Sequence, residues 1–156
     1  MSTAMRETLG DFSSVVCLKS IIAGMEEALG EKATAISLIA AGRARGKNLA
    51  AELGLSNSAV PLSDAAQRLA QALGPDGTRL LVLEKIEQEG DVIKAYTRET
   101  VCSAGEPVGS TRKCTFTLGA IWGALEALTG KRLQGKHTDS VLQGGSHDVF
   151  EFTQLG

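Results

Sequence analysis

The side chains best suited to chemistry in this 156-residue chain are three cysteines, Cys17, Cys102 and Cys114, and two histidines, His137 and His147. Thiolate and imidazole together suit a zinc-type ion. The spacing does not gather them: there is no C-x-x-C pair and no zinc-ribbon pattern. The cysteines therefore read as reduced thiols in or near the core of an intracellular protein, and no metal is expected. The histidines fall on or beside consecutive predicted strands. They could meet across a hairpin and join Cys102 or Cys114, but solvated histidines beside a turn are the plainer reading.

Other catalytic patterns are missing. No serine sits in a G-x-S-x-G elbow. The glycines of Gly74-x-x-Gly77 and of 105–109 are not followed by Gly-Lys-Ser/Thr, as a phosphate loop requires. Gly42-x-x-x-Gly46 lies inside a predicted helix, not after a strand, so it is no dinucleotide fingerprint. Glu84, Glu87, Glu89 and Asp91 cluster at a predicted hairpin and read as a solvated edge that discourages strand pairing. A net charge of -2 and 4% aromatic residues argue against nucleic acid as a partner, which calls for a basic surface and stacking faces. No stretch is apolar enough to span a bilayer, and the first ten residues lack a basic region followed by an apolar one. A cytoplasmic location is expected.

The elements that must position these residues follow from hydrophobic period. Residues 1–9 are polar and expected to fray. Apolar residues at three- and four-residue spacing (Val15, Leu18, Ile22, Met25, Leu29) predict a helix over 11–29, capped by Asp11 or Ser13 and stopped at Gly30. A second helix is predicted over 32–53. Its Gly42 and Gly46 share one face, which calls for another backbone close by. A third covers 63–73 and ends at Gly74-Pro75-Asp76-Gly77. The period then shortens: 79–87 and 91–102 read as a hairpin around Gly90. A fourth helix is predicted over 116–128, where Gly119, Gly123 and Ala127 form a second ridge of small residues. Strands over 132–142 and 148–153, joined through Gly144-Gly145, complete the chain. Helices and strands are segregated in the order ααα-ββ-α-ββ. This predicts one α+β domain over 1–156, an antiparallel sheet of about four strands with helices packed on it.

The last third carries a resemblance. Cys114, the run Gly119-x-x-x-Gly123-x-Leu125-Glu126 with its stop at Gly130, and a terminal hairpin with a glycine turn and Phe150-Glu151-Phe152 resemble the 4-vinyl-reductase-like domain. Gly42-Arg43-x-x-Gly46-x-x-Leu49-Ala50 is similar to that family's second helix, and the likeness covers about residues 12–153. The resemblance implies the fold of transport-particle (vesicle-tethering) subunits, a homodimer, and a non-catalytic sensor or carrier of an apolar or tetrapyrrole-like ligand. Two further implications are a scaffold for protein partners and, ranked last, a vinyl reductase of tetrapyrrole biosynthesis, for which no cofactor site is legible. The family's terminal hairpin usually carries two cysteines. Here Leu142 and Phe150 stand at about those places, which removes the thiolates a soft-metal site there would need.

Within that frame two faces are candidates for a ligand pocket: Ile121, Trp122 and Leu125 on the fourth helix, and Cys17, Ile21 and Met25 on the first. Trp122 reads first as core or interface, ahead of a ligand contact. Arg43 is a candidate partner for an acidic head group at a pocket mouth, against ordinary surface solvation.

Overall fold

The computed structural model describes residues 5–155. Of the end expected to fray, residues 1–4 lie outside these, and the Gly10 N–H bonds the Arg6 carbonyl at 2.8 Å. The first helix starts later than the predicted residue 11, at Val15, where its apolar repeat begins. Turns continue to residue 11, and the cap is Ser14, whose hydroxyl accepts from the Val16 N–H. Helix α1 then runs Val15–Leu29. Gly30, at φ 88°, turns the chain directly into α2, Glu31–Glu52. Helix α3 is Leu62–Leu73.

Strands β1, Val82–Glu89, and β2, Val92–Arg98, form the predicted hairpin. Both are shorter than the sequence pattern. Arg79 and Glu99 adopt φ values of 56° and 53°, left-handed backbone that ends an extended run. Ahead of β1, Leu80 and Leu81 give their N–H groups to the Leu73 carbonyl and not to a ladder. Helix α4 is Phe116–Thr129, ended by Gly130 at φ 70°. Strand β3, Leu133–Asp139, stops at a short 3₁₀ turn, Val141–Gln143, before β4, Asp148–Gln154. The four strands form one antiparallel sheet in the order β1-β2-β4-β3, with bulges at Leu83/Lys85 and His137/Asp139. The α+β architecture and element order agree with the sequence prediction.

Two interfaces build the core. Helix α3 lies on β1. Helix α4 is apolar almost all round, as a central helix should be, and Trp122 packs edge-on against Phe152 of β4 with ring centroids 6.3 Å apart. Its opposite face meets α2 through both predicted glycine ridges. A methyl group on Gly42 would sit 3.0 Å from the Ala120 nitrogen, and one on Gly119 would sit 3.0 Å from the Arg43 nitrogen. Two backbones can approach this closely only where neither helix carries a side chain.

The edge carboxylates behave as expected: Glu87 pairs with Lys85, Glu89 with Lys94 and Glu84 with Arg98, on partly or fully exposed side chains. Among the described residues no helix is long and apolar enough to cross a membrane.

Candidate functional site

Three sets of side chains stand out once the fold is assembled. The first joins α2, α4 and β3. Glu126 is buried, and its carboxylate accepts from Arg43 Nη2 at 2.7 Å and from the Leu133 N–H at 2.9 Å. The Arg43 guanidinium also lies over the Trp122 ring, 4.6 Å from its centroid, and the indole N–H donates to the Leu133 carbonyl at 2.9 Å. Burial pushes the Glu126 carboxyl up. The Leu133 N–H and the Arg43 guanidinium outweigh it and hold the group below the usual carboxylate range. Arg43 and Trp122 are therefore brought together, but as a clamp on β3. Ile121 and Leu125, each 0% exposed, are closed inside the core.

The second set is a buried polar cluster at the ends of β2, β3 and β4. Asp148 is 1% exposed. Its Oδ1 accepts from the Val141 N–H (3.2 Å) and faces His137 Nε2 (3.1 Å), while Oδ2 accepts from the Thr100 hydroxyl (2.8 Å). His137 Nδ1 accepts from the Cys114 N–H at 3.1 Å, so its ring proton sits on Nε2, pointing at Asp148. Burial raises the Asp148 carboxyl, and the donors His137, Thr100 and Val141 more than offset that, leaving it below the ordinary aspartate value.

This geometry corrects two expectations. His137 is no solvated turn histidine; its side chain is 3% exposed. Cys102 and Cys114 are not reduced thiols but a disulfide, with Cα atoms 5.2 Å apart. Cys17 is free and exposed. His147 does not join His137; it pairs with Glu84 and stacks edge-on against Tyr96. Ligand atoms of Cys102, Cys114 and Asp148 lie within 4.8 Å of one another. As a disulfide the two sulfurs carry no thiolate charge, so this donor set does not fit a metal ion in the oxidised state. The bond closes a loop of 12 residues' separation, for which a loss of roughly 2–3 kcal/mol on reduction is expected. Urea unfolding with and without a dithiol measures it, and unchanged midpoints would refute the bond.

The third set is a cavity of about 180 Å³ between α1, α2 and the segment leading into α4. Leu18, Ile22, Leu38, Val101, Cys102 and Phe116 make its wall apolar. It shares Leu38, Arg112, Lys113 and Thr115 with an adjoining polar hollow of about 280 Å³. A chain of ion pairs straps the loop over it to α1: Lys19 to Glu106 at 2.7 Å, Arg112 to Glu106 at 3.1 Å, and both Arg112 Nη atoms to Glu26 at 2.9 Å. The Lys19 hydrogen bond, against the effect of burial and with help from Ser110, holds Glu106 below the usual carboxylate range, so it stays ionised at neutral pH.

None of the seven residues put forward from the sequence as ligand contacts lines this cavity. Cys17 and Ile21 lie on the exposed side of α1, along a shallow groove with Phe12 and Arg79, and Met25 is half-buried. Leu18 and Ile22 do line it. They belong to the three- and four-residue repeat of the first helix, which was the available signal.

No sequence family and no curated protein matches the chain. Its fold does match solved structures. The phenol-responsive sensory domain of the transcription activator PoxR, with phenol, superposes with a TM-score of 0.66 at 15% identity, over 91% of this chain and 75% of that one. A trafficking protein particle complex subunit 3 from Naegleria fowleri, covalently bound to palmitic acid, gives 0.56 at 14% identity, over 91% and 93%. A vinyl-4-reductase family protein from Methanocaldococcus jannaschii gives 0.56 at 16% identity, over 95% and 85%. The chain thus has the fold shared by vinyl-4-reductase family proteins, trafficking-particle subunits and a phenol-responsive sensory domain.

Proposed function

We propose that this domain is a non-catalytic binding module, a sensor or carrier that holds a small apolar molecule in the cavity between α1, α2 and α4. The apolar cavity itself carries the reading. An apolar protein cavity of about 150 Å³ stays dry and takes a benzene ring. A space of about 180 Å³ therefore suits one ring with a short substituent. A tetrapyrrole has four linked rings and is too large, so the proposal settles on the apolar ligand. Two of the fold neighbours point the same way, since one is bound to phenol and another to palmitic acid.

The test is calorimetric titration with toluene, followed by Leu38→Trp. The wild type should take one equivalent. The indole, filling the cavity, should abolish binding while the fold, read by circular dichroism, survives. No toluene uptake by the wild type, or unimpaired uptake by Leu38→Trp, would sink the proposal.

A homodimer is part of the proposal, and one observation favours it. Val16, Ile21, Leu29 and Ile36 are 59–68% exposed on α1 and α2. Exposed apolar side chains collected on two adjoining helices are a surface that a protein contact would cover. The same side chains support the alternative, a scaffold for protein partners. Sedimentation equilibrium separates them: a dimer broken by Ile21→Glu supports the first reading, a monomer at all concentrations the second.

A further inference from the structure

We propose that the ligand carries a neutral hydroxyl group, and that Thr34 reads it from the polar hollow adjoining the cavity. The inference deepens the binding reading above and rests on it. Thr34 belongs to α2, is 1% exposed, and lines the hollow. Among the described residues its Oγ1 has no hydrogen-bond partner. A threonine in a helix ordinarily returns its hydroxyl to the carbonyl one turn earlier. Ser20 and Ser37 do so here, to Val16 and Ala33 at 2.9 Å each. Thr34 does not, although leaving a buried hydroxyl unbonded is costly. That hydroxyl is therefore a donor and acceptor without a partner, on a residue that lines the hollow adjoining the apolar cavity.

The charge around it selects the kind of head group. Glu26, Glu31 and Glu106 face Lys19, Arg112 and Lys113 along the two connected spaces, so the lining is neutral as a whole. Arg112, the cation nearest an anion's needs, already holds Glu26 through two hydrogen bonds and Glu106 through a third contact. A carboxylate ligand would find Arg112 occupied, only the exposed Lys113 without an ion pair among the described residues, and Glu26, Glu31 and Glu106 facing it. A cationic head would meet the mirror arrangement, with only the exposed Glu31 outside the ion pairs. A hydroxyl needs only what Thr34 offers, one hydrogen bond given or accepted. The ring or short chain then occupies the inner cavity, against Leu18, Ile22 and Phe116.

Benzyl alcohol, toluene and benzoate share one ring and differ only in the head group. Calorimetric titration of the wild type should rank benzyl alcohol about tenfold tighter than toluene, the worth of one well-placed hydrogen bond, with benzoate weakest. Thr34→Val keeps the shape and removes the hydroxyl. It should bring benzyl alcohol down to the affinity of toluene and leave toluene unchanged. Thr34→Ser should restore the preference. A Thr34→Val protein that still prefers the alcohol, or a wild type that binds benzoate best, would overturn the proposal while the pocket stands. A wild type that binds none of the three overturns the pocket and this proposal together.

Discussion

Replacing Gly123 with alanine should destabilise the protein by about 3 kcal/mol or more, at or beyond the top of the range for an overpacked core. Alanine is the better helix former by about 1 kcal/mol, so in an exposed helix the same change would stabilise. Here the added methyl group would meet the main chain of Arg43, with its Cα at 2.8 Å. The neighbour is backbone on a regular helix, so no rotamer change can make room. Relief requires moving α2 off α4 along its length, which also strips the contacts at Gly42, Gly46 and Gly119. Gly46→Ala should behave alike, since its methyl would stand 2.7 Å from the Ala124 nitrogen. Gly24→Ala is the control. Among the described residues nothing lies within 4 Å of a methyl group there, and that variant should be as stable as the wild type or more so. Urea unfolding of the three variants decides it. A Gly123→Ala protein as stable as Gly24→Ala would mean that the helices do not cross where the two ridges meet.

Those ridges were legible in the sequence because small residues at four-residue spacing constrain a helix face whatever lies opposite. The element order was legible for a related reason: the period of the apolar residues changes from helical to strand-like after Gly77. Strand ends were not. Arg79 and Glu99 stop β1 and β2 in left-handed backbone that glycine would have signalled and these side chains do not. The first helix misled more seriously. With Val15, Val16, Ile21 and Ile22 it is apolar on more than one side, so its repeat could not say which side is covered, and of these only Ile22 is buried. The cysteine pair and His137 were hidden by distance along the chain. Cys102 and Cys114 bracket a loop with no motif, and His137 meets Asp148 only because β3 pairs with β4. Thr34 carried no signal at all, since a missing hydrogen bond is a property of the folded state.

Asp148 is the residue whose loss should rival that of a core glycine. Its carboxylate serves Val141, Thr100 and His137 at once, inside a cluster closed to water. Asp148→Ala would leave an N–H, a hydroxyl and a ring N–H without their acceptor. A loss of about 4 kcal/mol at pH 7 is expected, in the range for removing one member of a buried, hydrogen-bonded set. Its folded-state value is depressed, so its stabilising effect is fully present above the ordinary aspartate value of about 3.9 and is lost as pH falls below it toward the folded value. The wild type should therefore lose stability in that acid window, and the gap between it and Asp148→Ala should narrow there. Urea midpoints of both proteins from neutral pH to the acid limit of folding test the magnitude and the sign. A gap that stays constant through the window would mean that Asp148 acts by shape and not as a carboxylate. If the gap widens in acid, its carboxyl is protonated in the native protein, and the donors assigned here to Val141, Thr100 and His137 face a different partner.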